Sequence, residues 1–199
     1  MKFIIAVFLL LLTIACANNE KATTRQEAVL PNPTGQVIDQ TTNQPDTSKK
    51  SIKAYALGTI NGDSIIINYY SPAVRNRIIW GGLVPLDQVW VTGAHAATSI
   101  QFQKNVSINN TSIAAGKYAF FTFPGKNEWQ VILNKNWQQH LTDEYNQNDD
   151  VIRIKINVDS LPYVQERLRY TIEQAGDGKG LINMQWERIQ LKVPFQVIK

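Results

Sequence analysis

INMQWERIQLKVPFQV, Ile182–Val197, carries the pattern of a half-buried β-strand twice over. Ile182, Met184 and Trp186 alternate with Asn183, Gln185 and Glu187. Ile189, Leu191, Val193, Phe195 and Val197 then oppose Gln190, Lys192, Pro194 and Gln196. Because successive side chains of a strand point to opposite faces, this alternation sets one face on a core and the other in water, as antiparallel sheets require. Pro194 has no N–H to give a neighbouring strand, so its outward phase predicts an edge position.

The same period recurs upstream. Leu168, Tyr170 and Ile172 oppose Arg167, Arg169 and Glu173; Ile152, Ile154, Ile156 and Val158 oppose Arg153, Lys155 and Asn157. Trp129, Val131 and Leu133 form one face, as do Thr98, Ile100 and Phe102. In Ile65–Tyr70 both phases carry large side chains, which predicts a strand covered on both faces. Turn-formers stand between these runs: Asn61-Gly62, Asn109-Asn110, Ala115-Gly116, Pro124-Gly125 and Asp177-Gly178. One segment departs from the rule. Trp137, Leu141 and Tyr145 recur every four residues, predicting a short helix over Asn136–Tyr145 laid against the sheets. The expected fold is therefore all-β: an antiparallel β-sandwich, jelly-roll-like or related, with one short helix.

The first fifty residues read differently. Lys2 followed by the apolar run Phe3–Leu12 has the form of a secretory signal, and the run is shorter than the roughly 20 residues a spanning helix needs. Thr13-Ile14-Ala15-Cys16 resembles a bacterial lipobox, in which the cysteine thiol takes the lipid. Cys16 is the chain's single cysteine, so an internal disulfide is excluded. Ala17–Lys50, rich in Asn, Gln, Thr and Pro, is too poor in apolar side chains to offset its ordering entropy. It reads as a disordered tether, with a reach of roughly 30 Å as a flexible coil. The expected organisation is a signal peptide over 1–15, a lipidated tether over 16–50 and a sandwich domain over 51–199. The corresponding address is the cell envelope, at the outer membrane of a Gram-negative bacterium.

A formal charge of +4, falling to +3 without Met1–Ala15, is too small and too dispersed for a nucleic-acid surface. Arg153, Lys155, Arg167, Arg169 and Lys192 share outward phases and would form a basic face if their strands were neighbours. Gly176-Asp177-Gly178-Lys179-Gly180 lacks the spacing of a phosphate loop and reads as a hairpin turn.

Two separated runs, YYSPAVRNRIIWGGLVPLDQVWVTGAHAATSIQF (Tyr69–Phe102) and AAGKYAFFTFPGKNEWQVILN (Ala114–Asn134), resemble the family called domain of unknown function 2911. ERLRYTIE (Glu166–Glu173) and MQWERIQLKVPF (Met184–Phe195) extend the resemblance over nearly all of Ile52–Lys199. The resemblance implies a secreted or lipid-anchored protein and supplies no reaction. Many members carry Asn-Glu after Thr-Gly-Ala, where this chain has His95-Ala96; that puts in doubt any acid–base role shared at this position.

The chain has two histidines. His140 and Glu144, four apart, would share a helix face and with His95 could form a two-histidine, one-carboxylate metal site or an acid–base pair. No HExxH or GxSxG motif accompanies them, so no catalytic residue is assigned and no cofactor is called for. Trp80, Trp90 and Trp137, with Thr92 in the VWVTGAHAA loop, are the residues most able to present a binding surface, for example to an envelope polysaccharide. Trp129 and Trp186 fall on core-facing phases. The expected function is a non-enzymatic binding or structural module held to the membrane by its lipid, with an envelope polysaccharide or protein as partner. The alternative is an enzyme using His95, His140 and Glu144.

Overall fold

The computed structural model describes residues 50–126 and 128–198. The expected signal segment, Cys16 and the expected tether up to residue 49 lie outside them. Among the described residues, ten strands form two antiparallel sheets. Six strands make the first, in the order β1 (Ile52–Ile60), β2 (Asp63–Ser71), β3 (Ser99–Phe102), β6 (Gly116–Phe123), β7 (Trp129–Asn134) and β8 (Asp150–Ile156). Four make the second, in the order β5 (Thr111–Ile113), β4 (Val106–Ile108), β10 (Lys179–Val197) and β9 (Val158–Gly176). The inward phases meet in one core: Ile65, Ile67, Ile100, Phe120 and Val131 from the first sheet, with Leu168, Tyr170, Ile172, Met184 and Trp186 from the second. This is the antiparallel β-sandwich that the alternation predicts.

Three hairpins turn where expected. Asn61 and Gly62 (φ 49° and 73°) join β1 to β2, and Asn109 and Asn110 (φ 48° and 63°) join β4 to β5. Two consecutive positive φ values match the right-handed twist of flanking strands, and Asn and Gly tolerate them best. Asp177-Gly178 closes the β9–β10 hairpin.

Four expectations need correction. Ile182–Val197 does not form two strands but lies within the single β10, and its core-facing phase changes from even to odd residues. The change falls at Glu187, which has φ 56° where the register with β9 slips. Second, β10 is not an edge strand: it lies between β4 and β9. Pro194 is accommodated because pairing to β9 runs as far as Leu191 and pairing to β4 begins at Gln196. Third, β2 is buried on one face only; Asn68 is exposed and Ile66 half-buried. The strands covered on both faces are instead β6 and β7. Ala119, Phe121 and Ile132 point away from the main core into a second cluster with Val91 and Ala97.

The fourth correction is the helix. Asn136–Tyr145 forms turns, and the one helical element among the described residues is a single 3-10 turn at Gln147–Asp149. Trp137 and Tyr145 do pack on the sheet, but Leu141 is 39% exposed with φ 48°. The backbone is engaged elsewhere: the Leu141 amide donates to His95 O (2.6 Å) and the Ala97 amide to Gln139 O (3.0 Å). Hydrogen bonds to a neighbouring segment replace those a helix would make to itself.

Candidate binding cleft on the outer face of the larger sheet

Two segments cover the outer face of β6 and β7. One is Val89–Ala97, which bridges to β6 through Trp90 and Thr122; the other is Trp137–Tyr145. They are joined by the antiparallel bridge between Ala96 and His140. Where they stop short of β1 and β2, a cleft of about 570 Å³ remains. Lys53 and Tyr70 stand on the strand side, and Trp137, Gln138, His140 and Glu144 on the loop side. Its floor and walls include Asn68, Ala96 and Ser99. A concave site with apolar and aromatic surface and a few convergent polar groups has the general form of a ligand site.

The loop side is held by a partly buried polar network. Asn134 Nδ2 donates to Asp150 Oδ1 (2.8 Å) and to Asn146 O (3.0 Å), and Asn134 Oδ1 accepts from the Asn136 amide (2.9 Å). Tyr145 donates to Asp150 Oδ2 (2.8 Å), and Arg153 donates to Asp150, to Gln130 and to the Tyr145 hydroxyl. The burial of the Tyr145 phenol, reinforced by the Asp150 carboxylate, pushes its pKa up to about 12. Asn134 and Asp150 thus hold both ends of the Lys135–Asp149 segment.

The histidines meet through their backbones. His95, exposed at φ 61°, lays its ring edge-on to Tyr70 (centroids 5.0 Å apart), while its carbonyl holds Leu141. His140 faces the cleft, with Nδ1 3.0 Å from Asp143 Oδ2; this pair is about two-thirds exposed. Glu144 lines the same cleft beside Asn136 Nδ2 (3.5 Å). His140 and Glu144 are therefore brought to one site by a loop rather than a helix face. With His95 they do not make a ligand set, and no group of three or more His, Cys, Asp or Glu placed to hold a metal occurs among the described residues.

The tryptophans divide. Trp137 lines the cleft, with Lys117 Nζ 3.8 Å from its ring centroid. Trp80 and Trp90 do not reach it: they pack against Trp129 and Trp186 with centroids 4.7–5.7 Å apart, Trp90 stacked on Trp186. Thr92 is fully buried. Its hydroxyl bonds Thr122 Oγ1, and its carbonyl accepts from Thr98 Oγ1 and from the Tyr170 hydroxyl of the opposite sheet. It ties the sheets together rather than forming a surface. The basic face does not assemble either. Arg153 and Lys155 lie on the larger sheet with Asp150 and Glu128 as partners, Lys192 pairs with Asp159 on the smaller, and Arg167 is buried. Lys53, Asn68 and Tyr70 were missed as site residues; the available signal was an aromatic on the outward phase of β2.

The model of a family described as protein of unknown function (DUF2911) matches residues 50–195. The chain belongs to the DUF2911 family. Neither the curated proteins nor the solved structures contain a match to it. Family membership accounts for the separated motifs and leaves the chemistry to the cleft.

Proposed function

We propose that this DUF2911 protein is a non-enzymatic, lipid-anchored envelope protein that binds a glycan in the cleft between β1–β2 and the His95 and His140 segments. One observation carries the reading. Tyr70 and Trp137 line a single concavity together with amide, imidazole, carboxylate and ammonium groups. Sugar rings offer an apolar face to aromatics and hydroxyls to such donors and acceptors. The lipobox at Cys16 supports an envelope location, where glycans are abundant. The non-enzymatic reading rests on the sequence, where no HExxH or GxSxG motif accompanies His140 and Glu144.

The test is titration of the full-length protein with solubilised peptidoglycan fragments and with oligosaccharide from lipopolysaccharide, followed by tryptophan fluorescence. Saturable binding is expected, weakened about tenfold by Trp137→Ala, the equivalent of about 1.4 kcal/mol of lost stacking. Cleavage of either probe, abolished by His140→Ala, would overturn the non-enzymatic reading. Binding unaffected by Trp137→Ala and Tyr70→Ala together would remove the cleft as the site.

A further inference from the structure

Four of the six large hydrophobic side chains exposed among the described residues lie on two adjoining segments: Ile78 (77%) and Leu83, and Tyr163 and Val164. The first two cap a loop that is built rather than loose. The Leu83 amide donates to Ile78 O and the Val84 amide to Ile79 O, the Gly81 amide returns to Val84 O, and Ile79 and Val84 are anchored in the core. Gly82 permits the closure, since a Cβ there would stand 2.4 Å from the Ile78 carbonyl oxygen. The loop thus holds two aliphatic side chains outward while its neighbours fix it.

The second segment is the irregular part of β9, where the register with β10 slips between Arg169 and Ser160. The two segments are joined at their bases. The Leu168 amide donates to Pro72 O, Ala73 bridges Arg167, and the Val74 amide donates to Glu166 O. This antiparallel pairing carries both toward one end of the molecule. The N-terminal chain enters at that end, because the Lys50 carbonyl accepts from the Arg75 and Arg167 guanidinium groups. Arg77 bonds the carbonyls of Ala73 and Val74, so cationic groups ring the base of the tip; Glu166, bonded to the Arg75 amide, is the carboxylate beside them.

From this placement we infer a membrane-docking surface: the Ile78–Leu83 tip and the adjoining Tyr163–Val164 segment rest on the lipid surface to which Cys16 anchors the chain. The inference depends on the lipid-anchor reading and is independent of the glycan. Four exposed hydrophobic side chains are too few to recruit a protein from solution. A lipid at the end of the segment that enters beside them makes the contact intramolecular, and weak apolar insertion then suffices to orient the body. Rigid presentation lowers the ordering cost of insertion.

The experiment uses the full lipidated chain in phosphatidylethanolamine–phosphatidylglycerol vesicles. An environment-sensitive fluorophore is placed through Ile78→Cys or, at the opposite end of the sandwich, Asp177→Cys; mass spectrometry reads the lipid on Cys16. Asp177 serves as control because its neighbour Gly178 lies against Asn61, nine paired residues along β1 from the entry point. A blue shift at position 78, quenched by lipids carrying nitroxides on their acyl chains, with none at position 177, is the expected result. Water-like emission at position 78 in a lipidated chain overturns the docking surface and leaves the anchor standing. An unlipidated Cys16 overturns both. A blue shift that needs no vesicles and grows with protein concentration identifies a second copy as the occupant and also overturns the proposal.

Discussion

Tyr145 is where a single side chain does most to hold the cleft in shape. Its hydroxyl donates to Asp150 and accepts from Arg153, so Tyr145→Phe leaves the buried Asp150 carboxylate and the partly buried Arg153 guanidinium short of one bond each. The expected cost is about 1–2 kcal/mol in chemical denaturation, with weaker binding of the proposed glycan because the Trp137–Glu144 wall loosens. The same residue sets an alkaline limit. A phenol whose folded pKa is raised contributes stability that is complete below its ordinary value near 10 and is lost as the pH rises through the folded value, here about 12. Tyr118 and Tyr170 are raised too, chiefly by burial, with Tyr69 adding to the effect on Tyr170. Phenolate absorbance should therefore show these three titrating late, with unfolding accompanying the last of them. Titration of these three at about 10 while the protein stays folded would contradict this burial.

At the scale of elements, the approach of β1 to β9 depends on a missing side chain. A Cβ at Gly58 would stand 2.6 Å from Ile172 Cγ2 and 2.7 Å from its Cβ, atoms that cannot swing aside as a long side chain's end can. Gly58→Ala should destabilise by about 1–3 kcal/mol, read as a fall in thermal midpoint of a few degrees for each kcal/mol. A neutral result would mean that the sheets part there at little cost. Strand alternation was legible residue by residue, because which face is wet is a local property of the pleat. The helix expected at Asn136–Tyr145 shows the limit of that legibility. Its four-residue spacing correctly marked Trp137 and Tyr145 as sheet-facing, but spacing does not reveal that His95 and Ala97 would offer the segment backbone partners. Glu187 makes a similar point: the change of phase was visible in the residues, and the bulge that absorbs it in one long strand was not.

Across the whole molecule, the two sheets are locked by four tryptophans: Trp129 from the larger, Trp186 from the smaller, and Trp80 and Trp90 from the connection between β2 and β3. Trp186 is fully buried and stacked on Trp90 at 20°. Trp186→Ala should cost about 3–5 kcal/mol, a large part of a typical domain's stability, with loss of the near-ultraviolet circular dichroism of the stacked indoles. Retained dichroism would remove this group as the lock.

The amino-acid order alone determined the sandwich class, the three tight hairpin turns at Asn61-Gly62, Asn109-Asn110 and Asp177-Gly178, and the core-facing phases of Trp129 and Trp186. These follow from side-chain alternation and turn chemistry, which act between near neighbours. Tertiary structure decided that β10 is one interior strand, that Trp80, Trp90 and Thr92 belong to the interior, and that His140 and Glu144 share a cleft with Lys53 and Tyr70. Those outcomes depend on contacts between segments tens of residues apart, whose pairing follows from how the sheets close on each other rather than from any local pattern.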